Sequence, residues 1–122
     1  MEVTVIHSAF EEEANTVAVV NVPFECGPEE AMSYAYRWTN NIMGSWSIKE
    51  EFFEMPDGET HINGDYNENV TVLADLHDVG GRKMGIRSTS MGDIMVIGAD
   101  KFRVAGLGFE KLTPDTETLE ND

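Results

Sequence analysis

Apolar residues fall in short runs along most of this chain, and at one place they recur at helical spacing. Ala31, Tyr34, Ala35, Trp38 and Ile42 lie three and four residues apart, which predicts an amphipathic helix over 28–42. Gly27-Pro28-Glu29-Glu30 supplies its start. Proline at the first helical position gives up an N–H that has no partner there, and acids in the first turn meet the positive end of the dipole. This phasing points Trp38 into the core and turns Glu30, Ser33, Arg37 and Asn41 away from it. Elsewhere the period is two, or the run is apolar throughout. Val3–Ile6, Val17–Val22, Val70–Leu76, Lys83–Thr89, Ile94–Ile97 and Phe102–Ala105 read as strands. Val17–Val22 is apolar on both faces until Asn21, the pattern of an interior strand covered on both sides. Gly80-Gly81 provides a hairpin turn, and residues 54–69 read as a loop from their Pro, Asp, Gly and Asn content.

One helix and about five or six strands joined by tight turns predict an α+β fold, with the helix packed on a mostly antiparallel sheet. A small barrel of the kind seen in PUA and ASCH domains is the alternative, with Gly92-Asp93 as a barrel corner. Residues 1–112 form a single domain on this reading, and 113–122 an acidic flexible tail.

Charge changes the picture more than composition does. The 122 residues carry a net charge of −15. Residues 1–78 hold −14 of it, residues 79–112 are +3 and the last ten residues are −4. Such a field repels phosphate backbones and attracts basic surfaces, so direct nucleic-acid binding is disfavoured and a basic partner is favoured. Solubility alone also accounts for the acidity. The chain has no run of about 18 apolar residues to span a membrane and no basic, then apolar, leader at its start. Cys26 is its one cysteine, so no internal disulfide is expected, and the expectation is a cytoplasmic protein.

The blocks Tyr34-Ala35-Tyr36-Arg37-Trp38-Thr39-Asn40-Asn41, Gly44-Ser45-Trp46-Ser47, Arg87-Ser88-Thr89-Ser90-Met91-Gly92-Asp93 and Gly108-Phe109-Glu110 resemble small uncharacterised proteins of bacteriophages and mobile elements. The last two are similar to the C-terminal signature of YodL-type domains in large polyvalent phage and plasmid proteins. Met91 stands where such blocks more often have Val. The resemblance spans about 28 to 112 and implies a phage-borne protein acting in the host cytoplasm. It carries over no catalytic residue.

The candidate chemistry is sparse. Asp75 and His77 would share a strand face, but with a single Cys and three scattered His no metal-ligand set forms, and neither metal nor cofactor is expected. Gly106-Leu107-Gly108 lacks the following helix and the Lys-Ser/Thr pair of a phosphate loop. Cys26 reads as a small buried hydrophobe. Trp46, in a Gly/Ser turn, is the tryptophan more open to a contact role. Arg82, Lys83, Arg87, Lys101 and Arg103 form the one basic cluster. No constellation supports an enzyme.

Two functional classes remain. The first is an acidic, non-enzymatic interaction protein that binds a basic surface of a host protein through Glu50, Glu51, Glu54, Asp57 and Glu59. The acids of the tail (Asp115, Glu117, Glu120, Asp122) are expected to matter less, because a flexible segment loses entropy on docking. The second is a small-ligand or nucleotide-binding barrel using Trp46, Arg87, Ser88 and Ser90.

Overall fold

The computed structural model describes residues 1–113. The acidic tail expected at 113–122 lies outside the described residues apart from Thr113. The architecture is α+β. Strands β1 (Glu2–His7), β2 (Asn15–Asn21), β5 (Val70–Val72), β8 (Ile94–Ile97), β9 (Asp100–Val104) and β10 (Phe109–Leu112) form one antiparallel sheet in the order β10-β9-β8-β1-β2-β5. It is open, with β10 and β5 at its edges, and does not close into the barrel that was the alternative reading. Two small hairpins stand apart from it: β3 (Phe52–Glu54) with β4 (Thr60–Ile62), and β6 (His77–Val79) with β7 (Arg82–Met84). No helix among the described residues is long and apolar enough to cross a membrane.

Register explains the core. Val3 pairs with Val20 and Val20 with Val70, while Val5 pairs with Ala18 and Met95, and Met95 with Phe102. Directly paired residues share a sheet face, so one face is a continuous apolar stripe. Ala31, Met32 and Ala35 of helix α1 (Pro28–Trp38) are buried with these residues in one cluster, and Trp46 joins them. A register shift between Val5 and Ile6 lets β2 turn the extra residue Val17 inward, where it is buried. β2 is an interior strand as the sequence predicts, although Val19 is only half-buried.

The structure corrects several sequence-level expectations. The helix ends at Trp38 and not at residue 42. The Thr39 amide and hydroxyl both donate to the Ala35 carbonyl, at 3.0 and 2.7 Å, and the amides of residues 41–43 donate to Ser88 and Asp65. With those amides engaged elsewhere, the helical ladder cannot continue, and Ile42 is exposed. Trp38 is half-buried against the core, with the Arg37 guanidinium 4.1 Å above its ring. Arg37 does not face away unbound: it donates to the fully buried carboxylate of Asp65 at 3.2 Å.

Strand lengths differ as well. Residues 85–90 make no strand; the expected Lys83–Thr89 run contributes only to β7, and the expected Val70–Leu76 strand stops at Val72. The 54–69 segment is not all loop, because its start closes the β3–β4 hairpin. The strand β10 has no counterpart among the runs that the sequence pattern predicts as strands.

Candidate functional site

The Ser-Thr-Ser-Met-Gly-Asp block builds a clasp. Asp93 immediately precedes β8 and is fully buried. Its Oδ1 accepts from the amides of Ser8 and Ala9 at 2.9 and 3.0 Å and from Arg87 Nη2 at 2.8 Å. Its Oδ2 accepts from the Ser90 amide at 2.8 Å and from Arg87 Nη1 at 2.7 Å. The Asp93 amide returns to the Ser90 carbonyl, closing a turn in which Gly92 has φ +94°. A Cβ at Gly92 would also stand 3.1 Å from that of Ala9, so both backbone and space call for glycine there. Arg87 is completed by Glu11, whose two oxygens accept from Nε and Nη2 at 3.0 and 2.9 Å, and by the Ser88 carbonyl at 2.9 Å from Nη1. Glu11 is therefore half-buried, whereas Glu12 and Glu13 beside it are exposed.

The electrostatics follow from these contacts. Burial by itself would raise the Asp93 carboxyl, but the Arg87 fork and three backbone amides outweigh it and hold the pKa down to about 2. The same hydrogen bonds raise the Arg87 pKa and lower that of Glu11. Burial lowers the imidazole pKa of His7, outweighing the opposite pull of Asp93.

The residues proposed for a ligand barrel lie together, but they are spent on structure. Trp46 has 0% exposure, which overturns its reading as the tryptophan open to contacts. Its indole N–H donates to the Arg87 carbonyl at 3.0 Å. Ser88 Oγ accepts from the Asn41 amide at 2.8 Å, and the Ser90 amide and hydroxyl are engaged by Asp93 and by the Ser88 carbonyl. All five N–H groups of Arg87 have acceptors, so the guanidinium has no donor left for an anion. The wider basic cluster does not assemble either. Arg82 and Lys83 lie on β7 and Lys101 and Arg103 on β9, in different sheets, and Glu110 lies 3.8 Å from Arg103.

The five acidic candidates fare differently. Glu50, Glu51, Glu54, Asp57 and Glu59 are all exposed, on and beside the β3–β4 hairpin. Of these five, only Glu59 has an ionic neighbour among the described residues, His61 at 3.6 Å. Phe52 pairs with Ile62 across the hairpin, and both are open to solvent, at 54% and 73%. Met43, itself exposed, lies over Gly64 two residues beyond Ile62.

What holds the hairpin in place is a buried polar knot that the sequence did not announce. Asn63 Oδ1 accepts from the Ser45 and Asp65 amides, and its Nδ2 donates to the Ser45 and Glu50 carbonyls. Asp65 takes the Ile42 and Met43 amides at 2.8 and 2.9 Å together with Arg37. The only sequence signal for this is Asn and Asp in a Gly-rich stretch, which reads equally well as an ordinary loop.

Asp75 and His77 do not share a strand face, because Asp75 precedes β6. They instead line a pocket of about 280 Å³ together with His7, Glu11 and Arg87. Among the described residues no three His, Cys, Asp or Glu side chains group so as to hold a metal ion. Comparison with protein-family models, curated proteins and solved structures finds no match.

Proposed function

We propose that this chain is a non-enzymatic interaction protein that presents the acidic β3–β4 hairpin to a basic surface of a partner protein. The observation that carries this reading is the hairpin's composition and position. Glu50, Glu51, Glu54 and Asp57 close no ion pair among the described residues, and they surround the exposed Phe52–Ile62 pair. An exposed apolar patch with a polar rim is the usual character of a protein-docking surface. Crowded like charges repel one another, and a basic partner relieves that repulsion. The apolar pair then supplies contact area that charge alone lacks. The resemblance to phage and mobile-element proteins favours a host protein as the partner.

The test is capture from host lysate on the immobilised chain, washed at about 0.1 M and then about 1 M salt, where the Debye length falls from about 10 Å to about 3 Å. A basic protein retained at low salt, released at high salt, and lost when the five hairpin acids are changed to Gln or Asn is the expected result. Capture indifferent to both salt and those substitutions would defeat the proposal.

A further inference from the structure

The pocket beside His7 is separate from the acidic hairpin and shares no residue with it. Its chemistry is set by a chain of hydroxyl groups behind the imidazole. The Thr39 hydroxyl sits 2.7 Å from the Ala35 carbonyl, which can only accept, so Thr39 donates there. The Thr89 hydroxyl, 2.8 Å from Thr39 Oγ1, must then give its one proton to Thr39. His7 Nε2 lies 2.9 Å from Thr89 Oγ1 and is left as the donor of that bond. Counting protons thus fixes the neutral imidazole as the Nε2–H tautomer, and Nδ1 carries a lone pair. No side chain or backbone group among the described residues takes that lone pair, and Nδ1 is not among their buried polar atoms left without a partner, so it is open to the pocket rather than sealed in the core. His7 is a wall of the pocket, and the pocket is where a donor for Nδ1 can come from.

The other walls say what kind of donor. Val17, Leu76 and Ile86 give apolar surface. The Arg87 charge is already matched by Glu11 and Asp93, whereas Asp75, an exposed residue of the lining, closes no ion pair among the described residues. The lining therefore has a surplus of negative charge from Asp75, an acceptor in His7 and no N–H of Arg87 left to offer, its remaining side-chain donors being the exposed Asn15 and His77. Anions are repelled by that combination, and the acidic side chains do not group closely enough for a metal ion.

We propose that this pocket binds a small organic amine, with the ammonium N–H groups shared between His7 Nδ1 and Asp75 and the apolar body against Val17, Leu76 and Ile86. The volume of about 280 Å³ is at the small end of ligand pockets, which suits one ring or a short branched chain. Burial keeps His7 uncharged at neutral pH, so the ring does not compete with the cation it accepts from.

Benzylamine is the probe, with benzyl alcohol and benzoate as neutral and anionic counterparts of the same shape. The full chain is labelled with nitrogen-15 and each compound is titrated at neutral pH. Before addition, the His7 ring should show a protonated Nε2 and a bare Nδ1. Benzylamine should shift Nδ1 and the amides of Asp75 and Ile86, binding at least about tenfold more tightly than benzyl alcohol. Benzoate should leave all three signals in place. Asp75→Asn should weaken benzylamine by roughly tenfold with the unfolding midpoint unchanged, since Asp75 is exposed. A bare Nε2, an absence of shifts with benzylamine, or equal binding of the three compounds would each overturn the proposal.

Discussion

Asp93 and His7 show how much one ionisable side chain contributes here. The Asp93 carboxyl is held at about 2 in the fold against an ordinary value of 3.8, so its ionised form is favoured by the native state. Its contribution, roughly 2 kcal/mol, is present above pH 3.8 and is lost as pH falls toward 2. His7 acts in the same direction at higher pH. Burial sets its pKa below 6.5, so the unfolded chain takes up the proton first, and stability starts to fall as pH drops below 6.5. Denaturation midpoints should therefore decline from about pH 6.5 downward in the wild type, and more steeply below about pH 4. His7→Gln keeps a donor for Thr89 without a titrating ring and should remove the first part of that decline. An unchanged slope between about pH 6.5 and pH 5 in His7→Gln would mean that the histidine is not the group responsible. Asp93→Asn, which leaves Arg87 without its buried counter-charge, should cost about 3–5 kcal/mol at neutral pH, read from the shift in urea midpoint.

Among the elements, the helix and the turn that follows it exchange the roles that periodicity assigns them. Trp38 sits at the end of α1, half-buried beneath Arg37, while Trp46 in the turn is enclosed by the core with its N–H satisfied. Trp46→Ala should therefore cost about 3–5 kcal/mol, and Trp38→Ala clearly less. Equal urea midpoints for the two variants would contradict this ordering. Arg37→Ala is the sharper case. Helical phase places Arg37 on the outer face, where removal would cost under about 0.5 kcal/mol. In the structure it is 30% exposed and donates to an Asp65 carboxylate that is wholly buried. Its loss strips that carboxylate of its cation, and a cost of about 1–3 kcal/mol is expected. A midpoint indistinguishable from wild type would show that the two backbone amides alone suffice for Asp65.

At the scale of the whole molecule, the separation between an internal clasp and an external acidic hairpin organises the charge. Glu11 and Asp93 are committed to Arg87, whereas the hairpin acids make few ionic contacts, and they are the ones that can steer a partner. Changing Glu50, Glu51, Glu54, Asp57 and Glu59 to Gln or Asn should slow association with a basic partner by about tenfold or more at low salt. The effect should vanish near 1 M salt, where the Debye length is about 3 Å. Stability should stay within about 0.5 kcal/mol, as for other surface changes. Stopped-flow rates at the two salt levels check this, and a wild-type rate at low salt would remove the hairpin from the binding surface.

Local pattern by itself determined a good part of this molecule. It placed the helix start, where Gly27-Pro28-Glu29-Glu30 needs no tertiary help, and the strand Ile94–Ile97, bounded by Gly92-Asp93 and Gly98. It also determined the α+β class, because one helical period among many runs of period two leaves few alternatives. The five hairpin acids could be picked out as exposed, since closely spaced carboxylates without partners are costly to bury. What only the tertiary structure decided depends on partners far apart in the chain. Asp65 stops the helix from 23 residues away, and Asp93 gathers residues 8, 9 and 90 around Arg87. The tautomer of His7 is set by Thr89, 82 residues further along the chain. A buried polar group must find its partner somewhere, but short-range pattern carries no record of where, so the core's polar contacts and the pocket they shape become legible only when the sheet brings them together.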